Sequence, residues 1–167
     1  MPIMDSSTLI LLAKSGLLDI FIDNLKTQLI IPKAVESECT SKKDTYDAKL
    51  ITQRINEKKI IVQIPSNSKI CKKLMRDFNI AKGEAEALTL CLDKQELLLT
   101  DDKKAINACK ILRLPFATAP NILIRAVEKC LIEQEQALLI FEKLMRYGRY
   151  SKDIIQDVKD KITLTGG

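Results

Sequence analysis

The chain of 167 residues contains 46% hydrophobic and 29% charged residues, with 27 Lys and Arg against 22 Asp and Glu. This balance is typical of one globular domain and excludes a disordered chain, and no apolar run approaches the ~20 residues that a membrane span needs. Histidine is absent, which excludes chemistry that depends on an imidazole, while the net charge of +5 permits an anionic partner without requiring one.

The N-terminus and the cysteines narrow the class of protein further. Asp5 interrupts the first apolar stretch, so the layout of a signal peptide is missing and we expect a cytoplasmic protein without a membrane partner. The five cysteines are scattered and never in C-x-x-C spacing, which predicts small buried hydrophobes that stay reduced rather than a metal site. They are Cys39, Cys71, Cys91, Cys109 and Cys130.

The first half of the chain alternates short apolar runs with helical patterns. Residues 3–4 predict a buried strand that ends at the capping cluster D-S-S at 5–7. Gly16 predicts the end of the first helix, and Pro32 predicts the end of a strand and the first turn of the next helix. The elements expected after residue 7 are helix 8–15, helix 17–25, strand 28–31, helix 33–39, helix 46–56 and strand 60–64.

The second half continues this alternation and is purely helical from Pro120 onward. We expect one domain over residues 1–167, with an α/β core (1–118) covered by C-terminal helices (119–163). The elements expected are helix 66–77, helix 84–92, strand 96–100, a helix from 101 to about 112, a strand at 116–117 and helices 120–130, 133–146 and 151–160.

Strands that alternate with helices predict an α/β three-layer sandwich, in which a central, mostly parallel sheet has helices on both faces. Ligands of such sheets bind beyond the carboxyl ends of the strands. Asp5 follows the first strand, and the pair Asp101-Asp102 follows a later one, so we expect them at the same edge of the sheet. The helices that carry Glu38 and Glu84 are expected to reach that edge as well.

Carboxylates that converge in one crevice repel each other unless cations compensate, and Mg²⁺ or Mn²⁺ prefers such oxygen ligands. A carboxylate-only site in a histidine-free chain therefore indicates metal-assisted phosphodiester hydrolysis. The glycine-rich motifs of dinucleotide and P-loop sites are absent, and so is the phosphatase motif D-x-D-x-T.

Each acid also has a simpler explanation. Asp5 and Asp101 suit helix caps, because helix starts favour acidic residues. Capping explains neither the paired acids after one strand nor acids after two separate strands, so the combination favours a site. Solvated helix positions are the simpler explanation for Glu36, Glu38, Glu84 and Glu86.

Five segments carry a family resemblance. They are I-M-D-S-S-T-L-I-L-L-A-K-S-G-L-L at 3–18, I-P-K-A-V-E-S-E at 31–38, G-E-A-E-A-L at 83–88, L-L-L-T-D-D-K-K-A at 97–105 and K-L-M-R-Y-G-R-Y-S at 143–151. In this order the chain resembles PIN-domain proteins, in particular an archaeal and bacterial PIN-like group related to toxin nucleases.

The resemblance implies a nuclease that uses Mg²⁺ or Mn²⁺ to cleave RNA, works as a homodimer and has an antitoxin protein as a partner. The alternative is a non-catalytic PIN-like scaffold that binds nucleic acid or protein. Lys103 and Lys104, beside the expected metal site, are candidates to contact phosphate. The resemblance assigns Asp5, Glu38, Glu84 and Asp102 as catalytic metal ligands, Asp101 as an additional ligand, and Ser7 as a hydroxyl that contacts substrate.

The C-terminal part adds two weaker expectations. Basic and aromatic residues alternate at 146–150, as in a platform for base stacking, but a helix that ends with Gly148 as a left-handed cap explains the same letters better. Apolar residues of the tail offer a surface for the homodimer or complete the core of one subunit. They are Leu138, Leu139, Ile140, Phe141, Leu144 and Met145.

Overall fold

Five short strands run parallel and form one sheet. This computed structural model describes residues 1–165. The strands are β1 (Ile3–Met4), β2 (Leu29–Pro32), β3 (Ile60–Gln63), β4 (Leu98–Leu99) and β5 (Phe116–Ala117). Their order across the sheet is β3-β2-β1-β4-β5, so β1 lies in the centre between β2 and β4. The expected parallel sheet is confirmed.

Ten helices lie in the described part of the chain. Gly16 adopts a left-handed conformation (φ 81°) that ends the first helix and turns the chain into the second. Pro32 precedes the third helix directly, as its fixed φ allows. The helices are α1 (Ser6–Ser15), α2 (Leu17–Asp23), α3 (Lys33–Thr40), α4 (Tyr46–Asn56), α5 (Ser68–Phe78), α6 (Lys82–Lys94), α7 (Lys103–Leu112), α8 (Ala119–Glu128), α9 (Gln134–Tyr147) and α10 (Lys152–Thr165).

The helices form a layer on each face of the sheet, because successive strand residues point to opposite faces. Ile3 and Leu98 pack into one core with α5, α6 and α7. Met4 and Leu99 pack into the other core with α1 to α4 and α8 to α10. The expected three-layer sandwich is confirmed, and the C-terminal helices extend one of its two outer layers.

Three details differ from the sequence-based expectations. The strand expected at 96–100 is limited to β4, and the last helix continues past residue 160 to Thr165. All five thiols are free, but Cys130 is exposed rather than buried. None of the described helices is long and apolar enough to cross a membrane.

The apolar residues of α9 mostly complete the core of this one chain. Ile140, Phe141 and Leu144 are buried in the core that also contains α1 and α8. Leu139 is 60% exposed and is the main part of the expected dimer surface that remains free within α9. These side chains therefore give a homodimer little support, and the division into core and tail stays a prediction.

Candidate active site

The site lies where the chain reverses its direction of travel across the sheet. From β1 the chain proceeds outward to β2 and β3, and it then crosses to β4 on the other side of β1. Crevices at such switch points are the usual ligand sites of open α/β sheets. Asp5 follows β1 directly, and Asp101 and Asp102 follow β4 after a single residue, so all three acids lie at this point.

Asp5 is a buried carboxylate with three hydrogen-bond donors. Its Oδ1 accepts bonds from the Thr8 amide (3.0 Å) and the Ser7 hydroxyl (2.9 Å), and its Oδ2 accepts one from the Thr100 hydroxyl. Burial raises the pKa of Asp5 from 3.8 to about 6, and the nearby charge of Asp101 adds to this shift against the opposing hydrogen bonds. A carboxylate offers about four acceptor positions, so one remains for a further ligand.

Asp102 begins α7 and is linked to Asp5 through Thr100. Its Oδ1 accepts a hydrogen bond from the Ala105 amide (2.9 Å), which caps the helix and leaves Oδ2 outside the cap. Its own amide donates to the Thr100 hydroxyl oxygen (3.2 Å), while the same hydroxyl donates to Asp5. Thr100 thereby fixes the relative position of these two acids. Asp102, rather than Asp101, caps α7.

Glu38 and Glu84 approach the same place from α3 and α6. Glu38 accepts a hydrogen bond from the hydroxyl of Ser6 (2.6 Å), next to Asp5. The pKa of Glu84 is raised by burial and further by the negative charges of Asp102 and Glu38. Its Oε2 is buried and accepts no hydrogen bond from any described residue. We refer to Asp5, Glu38, Glu84 and Asp102 as the acidic cluster.

Asp101 differs from the other four predicted metal ligands, because its protein donors come from α1, from the start of α8 and from the segment after α9. It accepts hydrogen bonds from the Thr8 hydroxyl (2.7 Å), the Ala119 amide (3.0 Å) and the Tyr150 hydroxyl (3.0 Å). Burial raises its pKa against these hydrogen bonds. These hydrogen bonds connect Asp101 to three other parts of the fold, and its predicted ligand role stays a prediction.

The predicted substrate contacts are placed as follows. Ser7 is engaged with Asp5, which positions its hydroxyl inside the site rather than toward solvent. The ammonium group of Lys104 donates to the carbonyl of Asn79 at the end of α5 (3.0 Å). Lys103 is exposed at the start of α7, and it forms no ion pair with any described residue.

The sequence interpretation missed the residues that hold the acids in place. The hydroxyls of Ser6, Thr8, Thr100 and Tyr150 each donate to a carboxylate of this region. The available signal was that Ser6 and Thr100 are adjacent in sequence to an acid at a strand end. The solvated position considered for Glu86 is wrong, since Glu86 is buried and accepts a hydrogen bond from the amide of Ala34 in the first turn of α3.

Comparison with known families decides the classification. A family model described as a PIN domain matches residues 1–163, almost the whole chain. The chain belongs to the PIN-domain family. Members of this family are generally nucleases, which agrees with the carboxylates that gather at this edge of the sheet. A comparison with curated proteins gave no significant match.

The acidic cluster of this PIN domain has the ligand atoms that a divalent cation prefers, but its side chains are not yet arranged around a common point. In the part of the chain that the structure describes, no three acidic or thiol side chains already surround a point that would hold an ion. The donors are nevertheless all carboxylate oxygens, and the buried Glu84 Oε2 is unpartnered. Mg²⁺ and Mn²⁺ retain several waters, so one or two protein carboxylates suffice to hold them.

Gly83 is a direct test of this geometry. A Cβ at residue 83 would lie 2.9 Å from Oε1 of Glu38, so the glycine leaves room for that carboxylate. We expect Gly83→Ala to displace Glu38 and to weaken Mn²⁺ binding roughly tenfold, as loss of a well-placed ligand group does. Stability should not fall, because Ala is favoured over Gly by about 1 kcal/mol inside a helix.

The measurement is Mn²⁺ titration by electron paramagnetic resonance beside urea unfolding of the same Gly83→Ala protein. Gly16→Ala is unsuitable as a control because residue 16 is left-handed, so Lys94→Ala at an exposed position of the same helix serves instead. Unchanged Mn²⁺ affinity in the Gly83→Ala protein would place Glu38 outside the metal site.

One apolar cavity of the PIN domain lies away from the acidic cluster. It has a volume of about 360 Å³ and lies between α2 and α8, beside Phe21 and Ile122. Arg125 and Lys129 are at its rim, and among the described residues that line it none is acidic. This cavity therefore offers no carboxylate that could hold a metal ion.

Proposed function

We propose that this PIN domain is a ribonuclease that hydrolyses RNA phosphodiester bonds at the acidic cluster with Mg²⁺ or Mn²⁺. The observation that carries the proposal is the convergence of acids from β1, β4, α3 and α6, with the buried Oε2 of Glu84 left without a partner. Like charges that gather around a buried carboxylate are unfavourable unless a cation compensates, and a metal-dependent activity accounts for this arrangement.

Two groups of residues have different roles in this proposal. Asp5, Glu38, Glu84 and Asp102 would hold the ion, and Ser6, Ser7 and Thr100 orient their oxygens through hydrogen bonds. A bound Mg²⁺ or Mn²⁺ supplies Lewis-acid activation of water and charge stabilisation on the phosphate. Since histidine is absent, no imidazole takes part in proton transfer.

The test is cleavage of mixed RNA with Mg²⁺, with Mn²⁺ and with excess chelator, beside a DNA of the same sequence. Cleavage of RNA that depends on either cation supports the proposal. RNA binding without cleavage under every condition supports the alternative, a non-catalytic scaffold. Cleavage that persists in chelator would overturn the metal dependence.

Exposed cations near the acidic cluster favour a polyanionic substrate. Lys103 begins α7 and Lys82 begins α6. Lys104 follows Lys103 and donates a hydrogen bond to the carbonyl of Asn79 at the end of α5. The solvent-facing side of α5 continues this basic surface away from the site. Its cations are the exposed residues Lys69, Lys72, Lys73 and Arg76.

We expect Lys103→Gln and Arg76→Gln each to weaken RNA binding for all sequences alike. Each lost phosphate contact should reduce the slope of log affinity against log salt by roughly 0.7 for a single strand. Fluorescence anisotropy over a salt series measures this slope. Lys159→Gln, on α10 in the opposite layer, is the matched control and should leave it unchanged. Equal slopes in all three variants would remove α5 and α7 from the RNA surface.

The toxin role, the antitoxin partner and the homodimer rest on the sequence resemblance alone. We retain them as part of the proposal, each with its own measurement. Light scattering gives a mass near 18.8 kDa for a monomer and twice that for a dimer. Growth arrest on expression, relieved by a co-expressed protein from a neighbouring gene, would support the toxin role.

A further inference from the structure

The carboxylate of Asp101 joins three separate elements of the fold. Thr8 of α1 donates its hydroxyl to Oδ2 (2.7 Å), and the amide of Ala119, which starts α8, donates to the same oxygen (3.0 Å). Tyr150, between α9 and α10, donates its hydroxyl to Oδ1 (3.0 Å). Three donors that converge on one partly buried carboxylate form a strong connection, because bonds to a charged acceptor exceed neutral ones.

The side chain of Tyr150 is fixed by packing against the C-terminal end of α9. Its ring packs against Phe141, with ring centroids 6.5 Å apart. A Cβ at Gly148 would lie 2.7 Å from the Tyr150 ring and 2.9 Å from the carbonyl of Leu144, so only glycine lets the ring fold back onto the helix. Gly148 itself is extended (φ −101°, ψ 172°), and the expected left-handed cap is wrong. Glycine is required at residue 148 because a side chain there would collide with the Tyr150 ring.

Asp101 is connected to the acidic cluster through two threonines. The amide of Thr8 donates a hydrogen bond to Asp5, and its hydroxyl donates one to Asp101. The positions of the two acids are therefore coupled through this one residue. Thr100, directly before Asp101, donates to Asp5 and accepts from the amide of Asp102. A shift of Asp101 would therefore move both strand-end acids.

We propose that Tyr150 acts through Asp101 as a positioning residue of the acidic cluster, so that the C-terminal helices set the geometry of the site. In this arrangement Asp101 accepts hydrogen bonds from three elements and holds no metal. The inference rests on the proposed function for its catalytic meaning, since a metal site is what the positioned acids would form. The positioning itself is measurable without metal.

The experiment compares Tyr150→Phe with Tyr147→Phe in the full chain. Both remove one hydroxyl and keep the ring, and Tyr147 is a half-exposed residue of α9 whose ring lies near Lys14. Amide hydrogen exchange without metal is followed at Thr8 and Ala105, whose amides bond to Asp5 and Asp102. Mn²⁺ affinity is then measured on the folded proteins, followed by kcat and KM for RNA.

We expect Tyr150→Phe to speed exchange at both amides and to weaken Mn²⁺ binding roughly tenfold, the lower end of what loss of an outer hydrogen-bonding partner costs a metal site. The value of kcat should fall while KM for RNA stays unchanged, and Tyr147→Phe should behave as wild type. A merely structural role would change exchange only within α9 and α10, and this result would overturn the inference.

Two further outcomes separate this inference from the proposed function. If the wild type binds no Mn²⁺ and cleaves no RNA, the proposed function fails, while exchange at Thr8 and Ala105 still decides whether Tyr150 positions the acids. If Asp101→Asn abolishes Mn²⁺ binding while Tyr150→Phe has no effect on it, Asp101 is a ligand after all and the inference is wrong.

Discussion

Replacement of Asp102 by Asn is expected to lower metal-dependent RNA cleavage roughly a thousandfold, which equals the loss of several kcal/mol of charge stabilisation. The fold should be retained. The Asn oxygen can still accept the Ala105 amide that caps α7, and Asn is as good a capping residue as Asp. The free energy of unfolding should therefore change by less than about 1 kcal/mol.

The matched control for Asp102→Asn is Asp153→Asn, which removes an exposed acid from the first turn of α10. Both proteins lose one negative charge, so any general effect of charge on RNA binding is the same in the two. Cleavage is followed on radiolabelled mixed RNA at saturating Mg²⁺ and Mn²⁺, with circular dichroism to verify folding. Wild-type cleavage by purified Asp102→Asn would remove Asp102 from the site.

The metal-free protein is expected to lose stability as the pH rises from about 4 to about 7 through the titration of Asp5. Its pKa is 3.8 in the unfolded chain and about 6 in the fold, so the native state binds more protons between these values. Stability contributed by the protonated form is therefore lost as Asp5 ionises. A shift of this size corresponds to roughly 3 kcal/mol as an upper bound.

Urea unfolding in chelator at about pH 5 and about pH 7.5 measures this effect when wild type and Asp5→Asn are compared. The Asn oxygen can still accept the Thr8 amide, and its NH₂ group can donate to Thr100 once that hydroxyl rotates. The hydrogen bond from Arg54 lowers the pKa of Asp19, so ionisation of Asp19 adds to stability as the pH rises. This contribution is the same in both proteins. Only the difference between them reports Asp5.

The same comparison shows whether a cation relieves the strain among the acids. Because Mg²⁺ or Mn²⁺ would bind the native state alone, either should raise wild-type stability at neutral pH by RT ln(1 + [L]/Kd). Asp5→Asn should gain much less from the added cation. An identical pH dependence in the two proteins would mean that Asp5 does not titrate as a buried acid.

The layered architecture could be predicted from the sequence because each element follows local rules. Apolar runs bounded by Pro32 and Pro65 defined β2 and β3, and Gly16 ended α1 by the conformation that glycine allows. The strand predicted at 96–100 is too long, since only two of these five residues form β4. Pairing depends on partners distant in the sequence, which no local pattern contains.

The site could be predicted in part, and the limit is again physical. Position after a strand places an acid at the sheet edge, which is why Asp5 and Asp102 were identifiable. It does not show which way a carboxylate turns. Asp101 and Asp102 are adjacent in sequence, yet one bonds to Thr8, Ala119 and Tyr150 while the other caps α7. That difference arises from C-terminal elements whose docking the sequence pattern does not specify.

The central position of β1 has a consequence for the order in which the protein matures on the ribosome. Asp5 and Thr100 are 95 positions apart, yet they share a hydrogen bond. At ~5–20 residues per second, synthesis separates their appearance by roughly 5 to 20 seconds. Throughout that interval β1 lacks its neighbour β4, and the later acids do not yet exist. The growing chain therefore cannot assemble the acidic cluster before Asp102 has been synthesised.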